Sequence, residues 1–187
     1  MVTTPIKPLS LAEFLVLPET KPAQEYFNGK ISPKPMPKGK HSFIQTQLAA
    51  KINMHLSQQQ LGWAFSELRC TFGDRSIIPD ISVFARARIP RDPNGEIADI
   101  FDLAPDWTIE ILSPEQSPTR VIRNILHCLA HGTQMGWLID PKEQTVLVYL
   151  PGQQVQIIDN ADAEILVPDF SSQFLLTITE LFGWLLA

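Results

Sequence analysis

Several features that would define a class of protein are scarce or missing in this sequence of 187 residues. Two cysteines, Cys70 and Cys128, are too few for a disulfide scaffold or a zinc site built from cysteines. No apolar run approaches the roughly 18 residues of a membrane-spanning helix, and the start MVTTPIKPLS lacks the pattern of a signal peptide. There is no P-loop, no GxGxxG fingerprint and no GxSxG nucleophile elbow. These absences predict a cytoplasmic protein that has no membrane partner. They also argue against the nucleotide-binding and serine-hydrolase classes that those motifs define.

Positive charge is also in the minority. The chain has 15 Lys and Arg against 20 Asp and Glu, and its net charge of −5 argues against a large, uniform DNA-binding surface. The first 56 residues are nevertheless locally basic, which leaves a phosphate-facing patch open. Hydrophobic residues make up 44% and charged residues 19%, an ordinary globular composition. Length and composition therefore predict one domain over residues 1–187.

Apolar periodicity predicts the order of the helices and strands. Residues 42–60 and 118–131 carry the apolar spacing of amphipathic helices, and 177–186 form an apolar helix at the end. Three β-rich runs, 63–72, 77–84 and 107–112, are expected to be adjacent strands of one sheet. Further short strands are predicted at 136–139, 145–150, 154–158 and 164–167. The pattern predicts an α/β fold with a central mixed sheet flanked by helices.

Turn signals organise the rest of the chain. Ser10 and Glu13 have the spacing of a capping box, and Asn28-Gly29 predicts a hairpin turn. The prolines at 33, 35 and 37 cannot continue a central strand, so the lysines among them are expected on a mobile basic loop. The long segment 86–105 is of the kind that flanks functional sites or is poorly ordered.

Two carboxylates in apolar surroundings form the candidate site. Asp80 opens one predicted strand, and Glu110 lies near the end of another within Thr-Ile-Glu-Ile-Leu. Burial of a carboxylate is costly unless it is paired, hydrogen-bonded or bound to a cation. Two adjacent carboxylates repel each other, and a hard ion such as Mg²⁺ would relieve that repulsion. The spacing alone equally allows one carboxylate paired with a surface cation and the other exposed at a strand end.

The ordered series of motifs resembles the Uma-two family, whose members are described as endonucleases of the PD-(D/E)XK restriction-endonuclease-like superfamily. The resemblance covers roughly residues 9–185. Its landmarks are EYFNGKI at 25–31, His41 after the proline-rich loop, PDISV at 79–83, PDWTIEILSP at 105–114, WLIDP at 137–141, VLVY at 146–149 and VPDF at 167–170. The resemblance implies a restriction-endonuclease-like core and Mg²⁺-dependent or Mn²⁺-dependent hydrolysis of DNA.

The resemblance also implies roles for particular residues. Asp80 and Glu110 match the metal ligands, and the backbone carbonyl of Ile111 is the expected third contributor. Glu25 matches an acidic position that could add a metal or water contact. His41 matches a histidine at the head of the long helix, where it is either an active-site group or a structural residue.

One expected group is missing from the sequence. The superfamily usually has a lysine two residues after the glutamate, where this chain has Leu112, and the family's lysine on the following helix corresponds to Asn124. A tyrosine expected one turn later is Cys128. Arg120 or Arg123 could compensate from the same helix, or this face of the helix could be merely solvated.

Alternative functions stay open at this point. The missing lysine is compatible with a degenerate nuclease fold that binds nucleic acid or protein without cleaving. The apolar end of the chain, 181–187, could bury in a symmetric homodimer. His127 and His131 have helical zinc-site spacing but no third ligand nearby. Lys34, Lys38 and Lys40 either contact phosphate or belong to a solvated loop.

Overall fold

The computed structural model describes residues 8–114 and 116–186, and over these it contains four α-helices and ten strands. The helices are α1 (Leu11–Leu15), α2 (Gly39–Gln58), α3 (Pro118–Ala130) and α4 (Ile178–Gly183). The strands are β1 (Gln24–Phe27), β2 (Lys30–Pro33), β3 (Gly62–Ser66), β4 (Cys70–Phe72), β5 (Arg75–Ile77), β6 (Ile81–Ala85), β7 (Trp107–Ile111), β8 (Met135–Asp140), β9 (Thr145–Tyr149) and β10 (Gln156–Ile158). Short 3₁₀ turns lie at Arg86–Arg88, Asp169–Ser171 and Trp184–Leu186.

The strands form two sheets. The larger has six strands in the order β10-β9-β8-β7-β6-β3, and the smaller has four in the order β2-β1-β5-β4. Within the larger sheet β7 and β8 are parallel, because helix α3 returns the chain between them, and the other neighbouring strands are antiparallel. This architecture confirms the predicted α/β fold with a mixed sheet flanked by helices.

The long helices cover opposite faces of the six-stranded sheet. Helix α2 buries Ile44, Leu48 and Ile52 against one face, together with Ile109 of β7. Helix α3 packs on the other face, against Leu138 of β8 and its neighbours. Because side chains alternate across a strand, Glu110, which pairs with Leu138 in register, lies on the α3 face. The site is therefore placed between the sheet and α3.

Two runs that the sequence predicts as single strands are each broken. Residues 63–72 become β3 and β4, and residues 77–84 overlap β5 and β6, with the members of each pair in different sheets. The first break lies at Glu67, whose φ of 54° turns the backbone, and the second at Pro79, which cannot donate to a ladder. The prediction of unbroken strands was wrong, although β3, β6 and β7 are adjacent in one sheet as expected.

The turn signals are confirmed in the described structure. Asn28 and Gly29 both have positive φ, 46° and 75°, as the hairpin turn between β1 and β2 requires. Ser10 and Glu13 form the predicted capping box at the start of α1. The strand predicted at 164–167 is wrong, because this segment makes only an isolated bridge between Glu164 and Thr177.

The end of the chain packs on the chain itself. Leu181 and Phe182 of α4 are buried in the main core, and α4 contacts α2. The apolar residues that suggested a homodimer are thus partly used within one chain, and the homodimer stays a prediction. Residues 1–7, on which the interpretation of the N-terminus depends, and Ala187 lie outside the described residues.

The segment 86–105 packs on a second, smaller core. Ile89, Phe101 and Ala104 are buried there against Phe72 of β4 and Phe84 of β6. A backbone bridge joins Phe101 to Cys70. These contacts tie the segment to the β4 side of the molecule.

Candidate active site

Asp80 and Glu110 are brought side by side by the pairing of β6 with β7. Ile81 pairs with Ile109 in antiparallel register, which places the next two residues, Asp80 and Glu110, opposite each other. Both side chains are buried, with 0% and 3% of their surface exposed. The backbone N–H of Ile111 donates to Asp80 Oδ2 at 2.7 Å, so Ile111 fixes the rotamer of Asp80. The role of the Ile111 carbonyl as a metal ligand stays a prediction.

The other carboxylate oxygen of Asp80 faces the side chains of Lys34 and His41. Lys34 Nζ lies 2.7 Å from Asp80 Oδ1, and His41 Nε2 lies 3.3 Å from the same oxygen. His41 is in the first turn of α2, and its Nδ1 is 3.0 Å from the hydroxyl of Ser113. Burial alone would raise the pKa of Asp80, but the Lys34 charge and the His41 contact outweigh it and hold the pKa below its usual value.

Lys34 is the main correction to the sequence-based site. It was expected on a mobile surface loop, either in contact with phosphate or solvated, whereas its side chain is 8% exposed and points into the carboxylate cluster. The loop is held in place because Lys34 N–H donates to Ala23 O at 2.7 Å, while its ammonium group donates to Ile78 O. Burial would lower the pKa of Lys34, but the charges of Asp80, Glu110 and Glu67 hold it above its usual value.

Glu110 is the least stabilised charge of the cluster. Burial and the neighbouring charge of Asp80 raise the pKa of Glu110 well above its usual value, and Lys34 opposes this shift only in part. The charge of Glu25 raises it further. A carboxyl group held this way favours either a proton or a bound cation.

Glu25 joins the cluster from β1 and is held by three donors. Its Oε1 accepts from the Ile78 N–H at 3.0 Å and from Asn124 Nδ2 at 3.3 Å. Its Oε2 is 2.9 Å from a guanidinium nitrogen of Arg120. Helix α3 therefore contributes Arg120 and Asn124 to the site through Glu25. The guanidinium group of Arg123 lies 5.8 Å from the ring of Phe27, and compensation by Arg120 or Arg123 stays a prediction.

Glu67 is a site residue that the sequence analysis missed. One oxygen of its carboxylate accepts from Gln45 Nε2 at 3.0 Å, and the other lies 3.4 Å from Lys34 Nζ. Among the described residues, single ligand atoms of His41, Glu67 and Asp80 lie within 4.8 Å of one another, as in a metal site. The available signal was the polar pair Ser66-Glu67 within the run 63–72, where the break between β3 and β4 lies.

Two hollows give access to the cluster. A groove of about 710 Å³ is lined by His41 and Ser113 and by the basic residues Lys38, Lys40 and Lys142. A cavity of about 10 Å³, close to the volume that one water needs, is lined by Lys34, Glu110, Glu25 and residues of α3. His41 thus faces the groove, while Lys34 and Glu110 share the small cavity.

The remaining candidates serve the fold. His127 stacks on Phe72 with ring centroids 4.8 Å apart, and its Nε2 is 3.1 Å from the Phe72 carbonyl. The ring of His131 lies beside that of His127, with the two centroids 4.3 Å apart. Cys70 and Cys128 are fully buried free thiols, and burial raises the pKa of Cys70 to about 12.

The chain is thus an α/β protein whose mixed sheet carries a buried carboxylate cluster beside a basic groove. Comparison with known proteins identifies a structural relative and the family. It matches, at 62% identity and with a TM-score of 0.94, the crystal structure of "a putative nuclease belonging to DUF820" from Anabaena variabilis ATCC 29413. The match covers 95% of this chain and 99% of that one. No curated protein matches the chain.

The family itself is shown by residues 11–179, which match the profile of Uma2, described as "Putative restriction endonuclease". The chain belongs to the Uma2 family, the Uma-two family that its motifs resemble. Over the described residues, no helix has both the length and the apolar character needed to cross a bilayer.

Proposed function

We propose that this protein is an endonuclease that hydrolyses DNA phosphodiester bonds with Mg²⁺ or Mn²⁺. The observation that carries the proposal is the buried pair of carboxylates, Asp80 and Glu110, placed opposite each other by the β6–β7 register. Membership of a family described as restriction endonucleases supports a nuclease, and the cluster supports the use of a metal.

The residues present fit a divalent cation. Asp80 Oδ1 and His41 Nε2 are buried and have ion-pair contacts but no aligned hydrogen bond. The surroundings of Glu110 oppose its ionisation, and a bound cation would favour the ionised form. Asp80 and Glu110 would hold the ion, as predicted, with Glu25 and Glu67 near enough to add water or carboxylate contacts. A bound divalent cation supplies Lewis-acid polarisation of the phosphate and lowers the pKa of a coordinated water.

The other side chains around the carboxylates have separate roles in the proposed hydrolysis. In hydrolysis, the oxygen of one water bonds to phosphorus while the bond from phosphorus to a sugar oxygen breaks. One water proton ends on the leaving sugar hydroxyl, and the other remains with the phosphate product or goes to solvent. His41 connects Asp80 with Ser113 at the groove, so it can hold or pass a proton between the cluster and the groove. Arg120 and Asn124 fix Glu25.

The groove is the proposed path of the DNA backbone. Lys38, Lys40 and Lys142 line it and are exposed, so they can neutralise phosphates without reading base sequence. This local basic character is compatible with the acidic net charge of the chain. Two of the three lysines predicted to contact phosphate, Lys38 and Lys40, keep that role in the proposal.

DNA cleavage tests the proposed function. Supercoiled and single-stranded DNA would be incubated with Mg²⁺ or Mn²⁺ and the wild-type protein, Asp80→Asn or Glu110→Gln. We expect nicking that requires the ion and is slower by about 10²-fold or more in both variants. Asp106→Asn is the matched control, because Asp106 is also a buried carboxylate but lies outside the cluster. It accepts a hydrogen bond from Ala85 N–H and pairs with Arg88. Equal cleavage by all four proteins, or none by the wild type, would contradict the proposal.

One observation favours a second function. The Lys34 ammonium group already neutralises part of the negative charge of the cluster, so the fold does not require a metal for stability. This is expected of a nuclease-derived module that binds DNA without cleaving it. DNA binding in the groove without cleavage by the wild-type protein would select this alternative.

A further inference from the structure

The catalytic lysine of the nuclease resemblance has no counterpart at the two positions where the sequence would place it. Leu112 follows β7 and belongs to the apolar group packed on α3. Asn124 is on α3, and its amide is engaged with Glu25. A positive charge must come from elsewhere in the fold if the cluster is to stabilise a pentavalent phosphorane.

We propose that Lys34, at the end of β2, is the catalytic cation of this site. It rests on the proposed nuclease function and adds a residue that neither the resemblance nor the comparisons assign. Lys34 Nζ is 2.7 Å from Asp80 and 3.4 Å from Glu67, and it lines the small cavity together with Glu110. Its ammonium group therefore adjoins both the carboxylates and the space that one water would fill.

The buried position of Lys34 is fixed by specific contacts of its side chain and its backbone. A lysine side chain loses much rotamer freedom on burial, and its charge loses hydration, so an ammonium group this deeply buried needs compensating partners. It has them in Asp80, Glu67 and the Ile78 carbonyl, and its own backbone is tied to Ala23. An ammonium group has three N–H bonds, so Lys34 would exchange its longest contact, the 3.4 Å one to Glu67, for donation to the attacking water or to a phosphate oxygen as the water oxygen bonds to phosphorus and the sugar oxygen leaves.

Lys34→Met tests this role through two readouts. The first is the single-turnover rate of DNA cleavage at saturating Mn²⁺, and the second is the affinity for Mn²⁺ alone, measured by calorimetry. We expect the cleavage rate to fall by about 10²-fold to 10³-fold, as when one preorganised donor is removed. We expect Mn²⁺ to bind as tightly as in the wild type or more tightly, because a nearby positive charge is gone.

The controls separate this role from a structural one. Asp80→Asn and Glu110→Gln should weaken Mn²⁺ binding, which Lys34→Met should not. Lys51→Met removes a lysine that pairs with Glu180 between α2 and α4, away from the cluster, and should leave both readouts unchanged. A wild-type cleavage rate in Lys34→Met, or Mn²⁺ binding weakened along with the rate, would overturn the role of Lys34 while leaving the proposed nuclease function intact.

A second variant guards against loss of the fold. Lys34→Met/Asn124→Lys returns an ammonium group to the same small cavity from α3, because Asn124 also lines it. If Lys34→Met does not fold, cleavage by the double variant supports the inference and its absence overturns it. A wild-type protein that cleaves no DNA overturns the proposed function first, and this inference falls with it.

Discussion

At the scale of single residues, Asp80 and Glu110 show how neighbours set the properties of identical chemical groups. Both are buried carboxyl groups on facing strands. The pKa of Glu110 is raised by burial and by the charge of Asp80. Burial also opposes ionisation of Asp80, but Lys34 and His41 overcome it and lower the pKa of Asp80. In the metal-free protein the ionised Asp80 is therefore favoured by its contacts, and the ionised Glu110 is not.

Glu110→Gln should stabilise the metal-free protein at neutral pH. The pKa of Glu110 is higher in the folded than in the unfolded chain, so its contribution is fully present below about pH 4.5 and is lost as pH rises. Gln cannot ionise and avoids this loss. We expect the variant to exceed wild type by about 1–3 kcal/mol at pH 7.5 in EDTA, and by little near pH 4.5.

Urea unfolding at a series of pH values measures this difference. The exposed Glu143, on the turn before β9, provides a control, since Glu143→Gln should change stability by less than about 0.5 kcal/mol at either pH. A Glu110→Gln protein that is less stable than wild type at pH 7.5 would show that the ionised Glu110 is well compensated without a metal.

Some of these residues could be chosen from the sequence and others could not. Asp80 and Glu110 stood out because a carboxylate in an apolar strand needs a partner. Lys34 did not, because its proline-rich surroundings are typical of exposed loops, and only the tertiary structure shows the carboxylates that bury it. Glu67 was hidden inside a run that was interpreted as one strand.

At the scale of elements, the close contact between α3 and β8 positions the helical side of the site. Gly136 leaves room for Ile125, since a Cβ at position 136 would lie 2.3 Å from Ile125 Cγ2. The same helix carries Arg120 and Asn124 to Glu25. A shift of α3 away from the sheet would therefore loosen the site as well as the core.

Gly136→Ala should destabilise the protein by about 1–3 kcal/mol, the usual effect of overpacking a core. Ile125→Ala in the same chain should recover part of the overpacking cost, because it removes the atom that the new methyl group meets. Gly183→Ala at the end of α4 is the control, since nothing lies within 4 Å of its Cβ. Urea unfolding of the wild type, Gly136→Ala, Ile125→Ala, the double variant and Gly183→Ala measures this, and additive losses in the double variant would contradict the proposed contact.

Element types followed from sequence more readily than strand boundaries. The apolar periodicity located α2 and α3 to within a few residues, since each helix buries one continuous face. The runs 63–72 and 77–84 were harder, because apolar character continues through the crossings between sheets while Glu67 and Pro79 interrupt the backbone. Those crossings carry Glu67 and Asp80, so the strand boundaries matter for the site.

At the scale of the whole molecule, an acidic chain presents a basic groove. The net charge is −5, yet Lys38, Lys40 and Lys142 converge on the groove that leads to His41. The clustering brings together Lys38 directly before α2, Lys40 in the first turn of α2 and Lys142 in the turn after β8. Net charge alone would have argued against DNA, whereas this local arrangement of lysines is the basis of the proposed path for phosphates.

Neutralising the groove should weaken DNA binding and reduce its dependence on salt. Lys40→Gln and Lys142→Gln should each lower the slope of log affinity against log salt by about 1 if each lysine contacts a phosphate. Fluorescence anisotropy of labelled duplex DNA in EDTA, where cleavage is prevented, measures this slope. Lys51→Gln is the control and should leave the slope unchanged. An unchanged slope in both groove variants would place the DNA path elsewhere.

The proposed function requires that the carboxylates of Asp80 and Glu110 share a divalent cation. Crystals of the wild-type protein soaked in Mn²⁺, with anomalous diffraction collected near the manganese absorption edge, test it most directly. We expect an anomalous peak between these two carboxylates that is absent from Asp80→Asn crystals treated identically. A saturating soak that gives no peak there, or a peak that persists in the variant, would contradict it.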